Sequence, residues 1–443
     1  MALQGYRAAL RTPGVPVVLT IGFLARIPFS TIGILLTLHT VITLQESFFS
    51  AGLVVAASTL GIAIASPLRG RLLDRHGLRR AVLPSLLFQP LILAVATLVP
   101  YSALVLLALV GGLFAMPVFA IVRTSLSVLV PADQRRTVFS LDSVSTELVF
   151  MLGPAAATIA AVALGTTTSL LVVAGLIVLA GIGIMLANPP TRSDQIMLPT
   201  RLPRALEAAE SGMLATGEAH HEARVAQNLT TGQIPVIDER TGRPVHELPA
   251  PSVRPHLLTL GGLALLAATL VGSLLITATD LTVVAFLEGD GNTTAIAWVL
   301  AIWCAGSAIG GFVYGASARD IGPFTVLLAL GVLSLPIAAS QSVWMLAVTT
   351  FGAGLALAPI ITATGEAIAR RVPEQVRGEA MGWHGSALTA GAAVGAPLIG
   401  VVIDLAGPRV GILVGSALAI ALALTGFVLR AWRLRRTRRR LAW

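Results

Sequence analysis

Several ionisable side chains stand inside stretches of sequence that are otherwise apolar, and these are the residues of the chain best placed to do chemistry. Arg26, Glu147 and Asp280 each lie well within such a run. A charge there is costly unless it is paired or hydrated, so each marks an ion pair, a proton acceptor or a substrate contact. Arg26 and Glu147 fall at comparable depths in the first and fifth runs, so they are expected to pair. Glu147 would then alternate between Arg26 and a proton; a fixed buried salt bridge is the competing reading. Asp280, beside Thr277, Thr279 and Thr282, reads as a proton acceptor, a cation contact or a wetted residue at the outer mouth. Arg123 and Glu366, near the inner ends of the fourth and tenth runs, read as gating charges. Asp142 and His384 fall at equivalent positions in the fifth and eleventh runs and read as interfacial, although a histidine there titrates near neutral pH.

The runs that hold these residues are long enough to cross a bilayer, which needs roughly 20 apolar residues per helix. Read against their breakers they cover 15–44, 48–68, 81–99, 103–122, 139–164 and 168–187, then 257–287, 293–314, 323–339, 343–368, 380–405 and 410–429. With 55% hydrophobic and 12% charged residues, a soluble fold has no way to hide so much apolar surface. The expected architecture is an all-α membrane protein of twelve transmembrane helices in two pseudo-symmetric six-helix bundles. The first bundle takes 1–187, a linker 188–256, the second bundle 257–430 and a basic tail 431–443. Residues 1–14 carry Arg7 and Arg11 ahead of a run too long for a signal peptide, so the first span is expected to stay in the mature protein.

Charge orients the set, because short arginine-rich loops stay cytoplasmic. With the N-terminus inside, the inward loops hold Arg69 to Arg80, Arg135, Arg136, Arg319, Arg370, Arg371 and Arg377, and the tail holds Arg430 to Arg440. Arg409 alone falls outside. The expected place is the inner, or plasma, membrane, with both termini in the cytoplasm. The net charge of +9 does not indicate nucleic acid, since no basic domain with interleaved aromatics carries it. The tail suits anionic lipid headgroups instead.

The linker loses the apolar pattern and gains prolines; 202–227 has a surface-helix look and 234–248 a hairpin look. His220 and His221 within it lack further ligands, so no metal site is expected. The lone cysteine, Cys304, forms no internal disulfide. No cofactor is implied.

An internal repeat is visible. Gly61, Gly70 and Gly77 recur as Gly306, Gly315 and Gly322, a shift of 245, while Val130-Pro131 recurs as Val372-Pro373, a shift of 242. Parallel repeats suit a transporter whose substrate site lies where the halves meet.

The sharpest motif is Gly70-Arg-Leu-Leu-Asp74-Arg75-His-Gly77-Leu-Arg79-Arg80, in the inward loop between spans two and three. Gly70 permits close helix approach, Gly77 a turn, and Asp74 accepts bonds from an arginine or a helix N-terminus. The motif resembles the signature loop of the major facilitator superfamily. That resemblance implies the twelve-helix fold, and for Gly70, Asp74, Arg75, Gly77, Arg79 and Arg80 a role in conformational gating without substrate contact. The second copy, around Arg319-Asp320, has its aspartate displaced and lacks the trailing basics. Gly153-Pro154 in span five resembles part of the antiporter motif of drug-efflux members, and Gly391, Gly395 and Pro397 in span eleven supply small residues for close helix packing.

Together these features point to secondary active export of a small apolar or cationic molecule, coupled to protons, by a monomer surrounded by lipid. Trp298, Trp303 and Trp383 would line a cavity or belt. Uptake by the same fold and a non-transporting regulatory protein are the other readings; an enzyme is not expected, since no catalytic constellation stands at either membrane face. The topology is checked with Arg75→Cys in a Cys304→Ser background. The cysteine is expected to ignore a membrane-impermeant maleimide in intact cells and to react after permeabilisation; labelling of intact cells would invert the orientation.

Overall fold

The computed structural model describes residues 2–193, 195, 252–292, 294–317 and 321–441, with backbone alone for 2–4, 48 and 430–441. The readings made above for 202–248, Arg319, Asp320 and the tail arginines lie outside what is described. A short amphipathic helix, α1 (Ala2–Arg11), precedes the first crossing, α2 (Val15–Leu38), which Gly14 at φ +89° and a proline in the first turn initiate. A π-helical turn, His39–Thr43, extends it.

The next element, α3 (Phe48–Ala96), has 49 residues, more than twice what a bilayer core needs. Gly77, at φ +79° and ψ 174°, leaves the helical region and splits it into two crossings. Only a residue without a Cβ takes that conformation freely. The fourth crossing is α4 (Tyr101–Leu113) and α5 (Val118–Leu129), with a break between them. Arg69 braces that break from α3: it donates to Ser85 Oγ at 2.6 Å and to the Leu113 carbonyl at 3.0 Å. The first bundle closes with α6 (Arg135–Leu164) and α7 (Thr166–Ala187).

The second bundle repeats the plan as α8 (Leu260–Gly289), α9 (Ala295–Ala316), α10 (Pro323–Ser334), the broken pair α11 (Val343–Gly354) and α12 (Leu357–Arg371), α13 (Arg377–Ala406) and α14 (Pro408–Leu441). Ten helices among the described residues are long and apolar enough to span a membrane. One of them is the divided α3, and Pro323–Ala339 is a shorter apolar helix; counting both arms of α3 and this segment gives the twelve crossings expected.

Lipid offers little hydrophobic drive for helices to associate, so close packing over small residues holds such bundles together. The repeat shows in that packing. A Cβ on Gly61 would sit 2.2 Å from the Leu109 carbonyl oxygen, and one on Gly306 would sit 2.4 Å from that of Phe351. In the reverse direction, Gly112 faces Ser58 O at 2.1 Å and Gly354 faces Trp303 O at 2.4 Å. Each pair maps onto the other by the 245 and 242 shifts read from sequence.

Between the bundles, α3 packs on α13, and α6 on α9 and α12. The hydrogen bonds and ion pairs that join the halves all lie toward the arginine-rich ends of these helices. They run from Ser386 Oγ to Ala63 O, Arg377 to Ser127 Oγ, Thr137 Oγ1 to Gly315 O and Ser140 Oγ to Gly311 O. Ser193, where the linker begins, reaches across to the Glu374 carboxylate. Among the described residues no such bond joins the halves near the opposite face, so this conformation is closed on the arginine-rich side.

Gly112→Val and Gly354→Val each drive a side chain into backbone, and each is expected to destabilise the protein by about 1–3 kcal/mol. Thermal unfolding in detergent checks this against Gly175→Val, a position with nothing within 4 Å of its Cβ. Equal stability of all three would contradict the packing.

Candidate functional site

The charges predicted from sequence fall into three groups. The deepest is built on Asp142, buried to 0% exposure on α6. Arg26 of α2, also at 0%, places Nη2 2.7 Å from Asp142 Oδ1, an ion contact whose angles fall short of a hydrogen bond. Arg123 of α5 donates from Nε to Asp142 Oδ2 at 3.1 Å. The Arg26 guanidinium also lies 4.8 Å over the Phe119 ring. The expected partner of Arg26 was Glu147, and the structure corrects this: the carboxylate is Asp142. Five residues on a helix turn the chain through about 500°, so Asp142 and Glu147 cannot share a face, and only Asp142 faces α2.

Arg123 continues across to the second bundle. Its Nη1 lies 3.3 Å from His384 Nδ1 and 3.3 Å from Ile361 O, and its Nη2 donates to Ser143 Oγ at 3.3 Å. Ser143 in turn receives the Thr362 hydroxyl at 2.9 Å, another contact between halves. Asp142 and His384, expected to be interfacial, therefore belong to one deep network with Arg123 between them.

The second group seals the arginine-rich face. Glu366 does not meet Arg123; it accepts from Arg136 Nε at 3.2 Å across the interface and pairs with Arg370 Nη1 at 3.1 Å within its own helix. Arg136 also donates to Ser317 O at 3.2 Å. Asp74 is buried against the start of α13, where it accepts from the backbone N–H groups of Gly378 at 2.8 Å and Glu379 at 2.7 Å. Burial pushes the Asp74 carboxyl up to about 7, and the two backbone N–H groups, unpaired at the helix N-terminus and carrying partial positive charge, oppose that rise. Gly70 makes this approach possible, since its Cβ would sit 2.1 Å from the Gly378 carbonyl. Arg75, Arg79 and Arg80 are exposed.

At the repeat-related place the contact is made differently. Tyr6 of α1 donates to Phe312 O at 2.6 Å and packs edge-on against the Phe312 ring. A Cβ on Gly315, the counterpart of Gly70, would meet Tyr6 Oη and Ser140. Burial raises the Tyr6 phenol above its ordinary pKa, with the Ser140 hydrogen bond opposing.

The third group lies toward the open side. Glu147 of α6 and Asp280 of α8 come from different bundles. Cys304 of α9 is within electrostatic reach of both. Both acids are partly exposed, and neither has an ion pair or hydrogen bond among the described residues. Trp303 is buried, Trp298 meets Trp344 in a tilted ring pair with centroids 5.2 Å apart, and Trp383 is exposed, so the three tryptophans do not line one surface. Gly153 receives Ser30 of α2, and Gly391 and Gly395 receive α8 backbone around Leu270 and Leu274; Pro154 and Pro397 lie inside their helices. A cavity of about 420 Å³, lined by Phe324, Arg370, Arg371 and Leu429 among others, opens at the arginine-rich end of the second bundle, away from the acidic pair.

Two pseudo-symmetric membrane bundles, sealed along one side by cross-bundle polar contacts, define a transporter built from two halves. The Major Facilitator Superfamily profile matches residues 18–333 and 257–442, and the chain belongs to that family of membrane transporters. Among solved structures, the human organic anion transporter MFSD10 (TETRAN) is similar at 18% identity, with 93% of this chain and 98% of that one covered and a TM-score of 0.64. The proton:xylose symporter XylE, bound to 6-bromo-6-deoxy-D-glucose, is similar at 14% identity, with 93% and 94% covered and a TM-score of 0.61. No curated protein sequence matches the chain. At these identities the two structures share its fold.

Removing the carboxylate between two buried guanidinium groups leaves them uncompensated. Asp142→Asn is expected to cost about 3–5 kcal/mol, whereas Glu147→Gln, which breaks no pair, leaves stability nearly unchanged. Unfolding in detergent measures both; the reverse order would return Arg26 to Glu147.

Proposed function

We propose that this transporter carries a small apolar or cationic molecule out of the cytoplasm in exchange for protons, with Glu147 and Asp280 as the site both compete for. The observation that carries this reading is the acidic pair itself. A carboxyl group on α6 and another on α8 stand in otherwise apolar helices of opposite bundles, partly exposed and without an ion pair or hydrogen bond among the described residues, on the side where the halves are not bonded together. Like charges at such a site hold a proton readily, because protonation of one relieves the repulsion. A cationic substrate relieves it equally, so proton and substrate exclude one another, which is the condition for exchange.

The arginine-rich face is the cytoplasmic one in this reading, by the positive-inside rule, and the membrane is the plasma membrane. The conformation described is then outward-facing. Opening inward requires Asp74 to leave the α13 N-terminus, and Arg136 to leave Glu366. Gly70, Gly77, Arg75, Arg79 and Arg80 shape that gating loop and its surface, while Arg26 serves as a fixed support for Asp142.

MFSD10 is an organic anion transporter, and an anionic cargo in the present chain would need an accessible cation. Arg26 and Arg123 are both enclosed and committed to Asp142, which favours a cation or neutral molecule here. Uptake by the same fold is the other reading; driven along the proton gradient it would need proton and solute to bind together and not exclude one another.

The test uses purified protein in liposomes, a lipophilic cationic dye and an imposed pH gradient. Gradient-driven dye movement is expected, falling at least about tenfold in Glu147→Gln and in Asp280→Asn. Movement that is independent of the gradient, or identical in Glu147→Gln, contradicts the proposal. Deleting the gene separates direction: loss of an exporter leaves cells loaded with the compound, and loss of an importer leaves them depleted.

A further inference from the structure

His384 is the titratable group in the deep network that the exchange reading leaves without a task. Its side chain is 2% exposed and both ring nitrogens have partners. Nδ1 lies 3.3 Å from Arg123 Nη1, and Nε2 lies 3.0 Å from Thr364 Oγ1. A guanidinium carries five N–H donors and no acceptor, so Nδ1 must offer its lone pair. The ring proton is then on Nε2 and is donated to Thr364, whose own hydroxyl hydrogen goes to Ile360 O at 2.8 Å. Every hydrogen in the chain has one place, and the arrangement requires a neutral imidazole.

A second proton would occupy Nδ1 and face the N–H of Arg123. The cross-bundle hydrogen bond would be lost, and two cations would stand where one did. Arg123 has somewhere to retreat: Asp142 and Ser143 hold it on the first bundle, while His384 and Ile361 belong to the second. Its withdrawal therefore removes the deepest of the bonds that hold the halves together, and weakens the closed state. From α5, Arg123 is the charged group that acts on His384; behind it stand Asp142 on α6 and Arg26 on α2. The other packed helices present neutral groups: Thr364 and Gly365 from α12, Ser66 from α3 near Gly385, and Ser273 from α8 one turn further out.

Gly365 makes the contact possible. It is the repeat counterpart of Arg123, and a Cβ there would lie 2.5 Å from Arg123 Nη1. The network also shares a helix face with one of the two acids on the open side. Glu147 stands one turn outward of Ser143 on the same helix face, and Ser143 is bonded to both Arg123 and Thr362.

We infer that His384 is a proton switch on the inner gate: the neutral imidazole holds Arg123 across the bundles and keeps the arginine-rich side shut, and a proton on His384 releases Arg123 and opens that side. This deepens the exchange reading and relies on it for the use made of the proton. The sense agrees with exchange, because a protein loaded with a proton from outside then opens inward.

The test is conformational and does not require a known substrate. Full-length protein carrying His76→Cys and Gln375→Cys in a Cys304→Ser background is spin-labelled in lipid nanodiscs. Distances between the two labels are read at about pH 8 and about pH 5.5, either side of an ordinary histidine pKa. With His384 present, the fraction open on the labelled side is expected to rise about tenfold at the lower pH. His384→Gln, whose amide accepts from Arg123 and donates to Thr364 without titrating, should stay closed at both values. Gly365→Ala, which displaces Arg123 without altering a titratable group, should be open at both. A pH shift that survives in His384→Gln, or its absence when His384 is present, overturns the switch. Gradient-driven dye transport measured on the same preparations keeps the two readings apart. Transport that continues while His384→Gln retains the shift sinks the switch alone, and a working switch without any gradient-driven transport sinks the exchange reading alone.

Discussion

A single arginine placed where two repeats meet is the constraint around which the rest of this structure is arranged. Arg123 is enclosed at 2% exposure, and a guanidinium cannot shed its charge, so it has to be compensated where it stands. Asp142 supplies the counter-charge from its own bundle and His384 the acceptor from the other. These two residues are counterparts under the 242 shift, as Arg123 is of Gly365. The repeat is thus symmetric in position and asymmetric in chemistry: two arginines would collide at this point, so one half keeps the side chain and the other keeps the space. Removing a charge of this kind from its partners is expensive, which makes the contact an all-or-none element of the sort a gate requires.

The same asymmetry recurs nearer the membrane surface. On one side Gly70 admits α13 and Asp74 caps its N-terminus. On the other, Gly315 admits Ser140 and Tyr6, and bonds to the carbonyl groups of Phe312, Gly315 and Ser317 take the place of a carboxylate cap. The N-terminal helix α1 thereby becomes part of the closed face. Further from that face no hydrogen bond or ion pair joins the bundles among the described residues, which leaves Glu147 and Asp280 on the side free to open.

Much of this was legible in the sequence, because a bilayer makes hydrophobic length and charge placement strict. The crossings, the break at Gly77 and the paired glycines at 61 and 306 followed from spacing alone. Pairings were harder to read. Depth along a span placed Glu147 beside Arg26, but azimuth decides partners, and the five-residue separation puts Asp142 on the face toward α2. Arg123 and Glu366 were both read as gating charges, but they do not meet: Arg123 pairs with Asp142 and Glu366 with Arg136. The role of Gly365 was available from the repeat shift, as the residue opposite an arginine. Tyr6 carried no signal, since nothing in a ten-residue amphipathic helix indicates which distant carbonyl it will reach.

In the exchange reading, transport requires the halves to separate on the arginine-rich side. Ser66→Cys with Gly385→Cys in a Cys304→Ser background tests it directly, because a Cβ at position 385 would lie 3.3 Å from the Ser66 hydroxyl across the interface. Oxidising this pair should stop transport in liposomes, and reduction should restore it; undiminished transport by the oxidised protein would show that the halves need not part there.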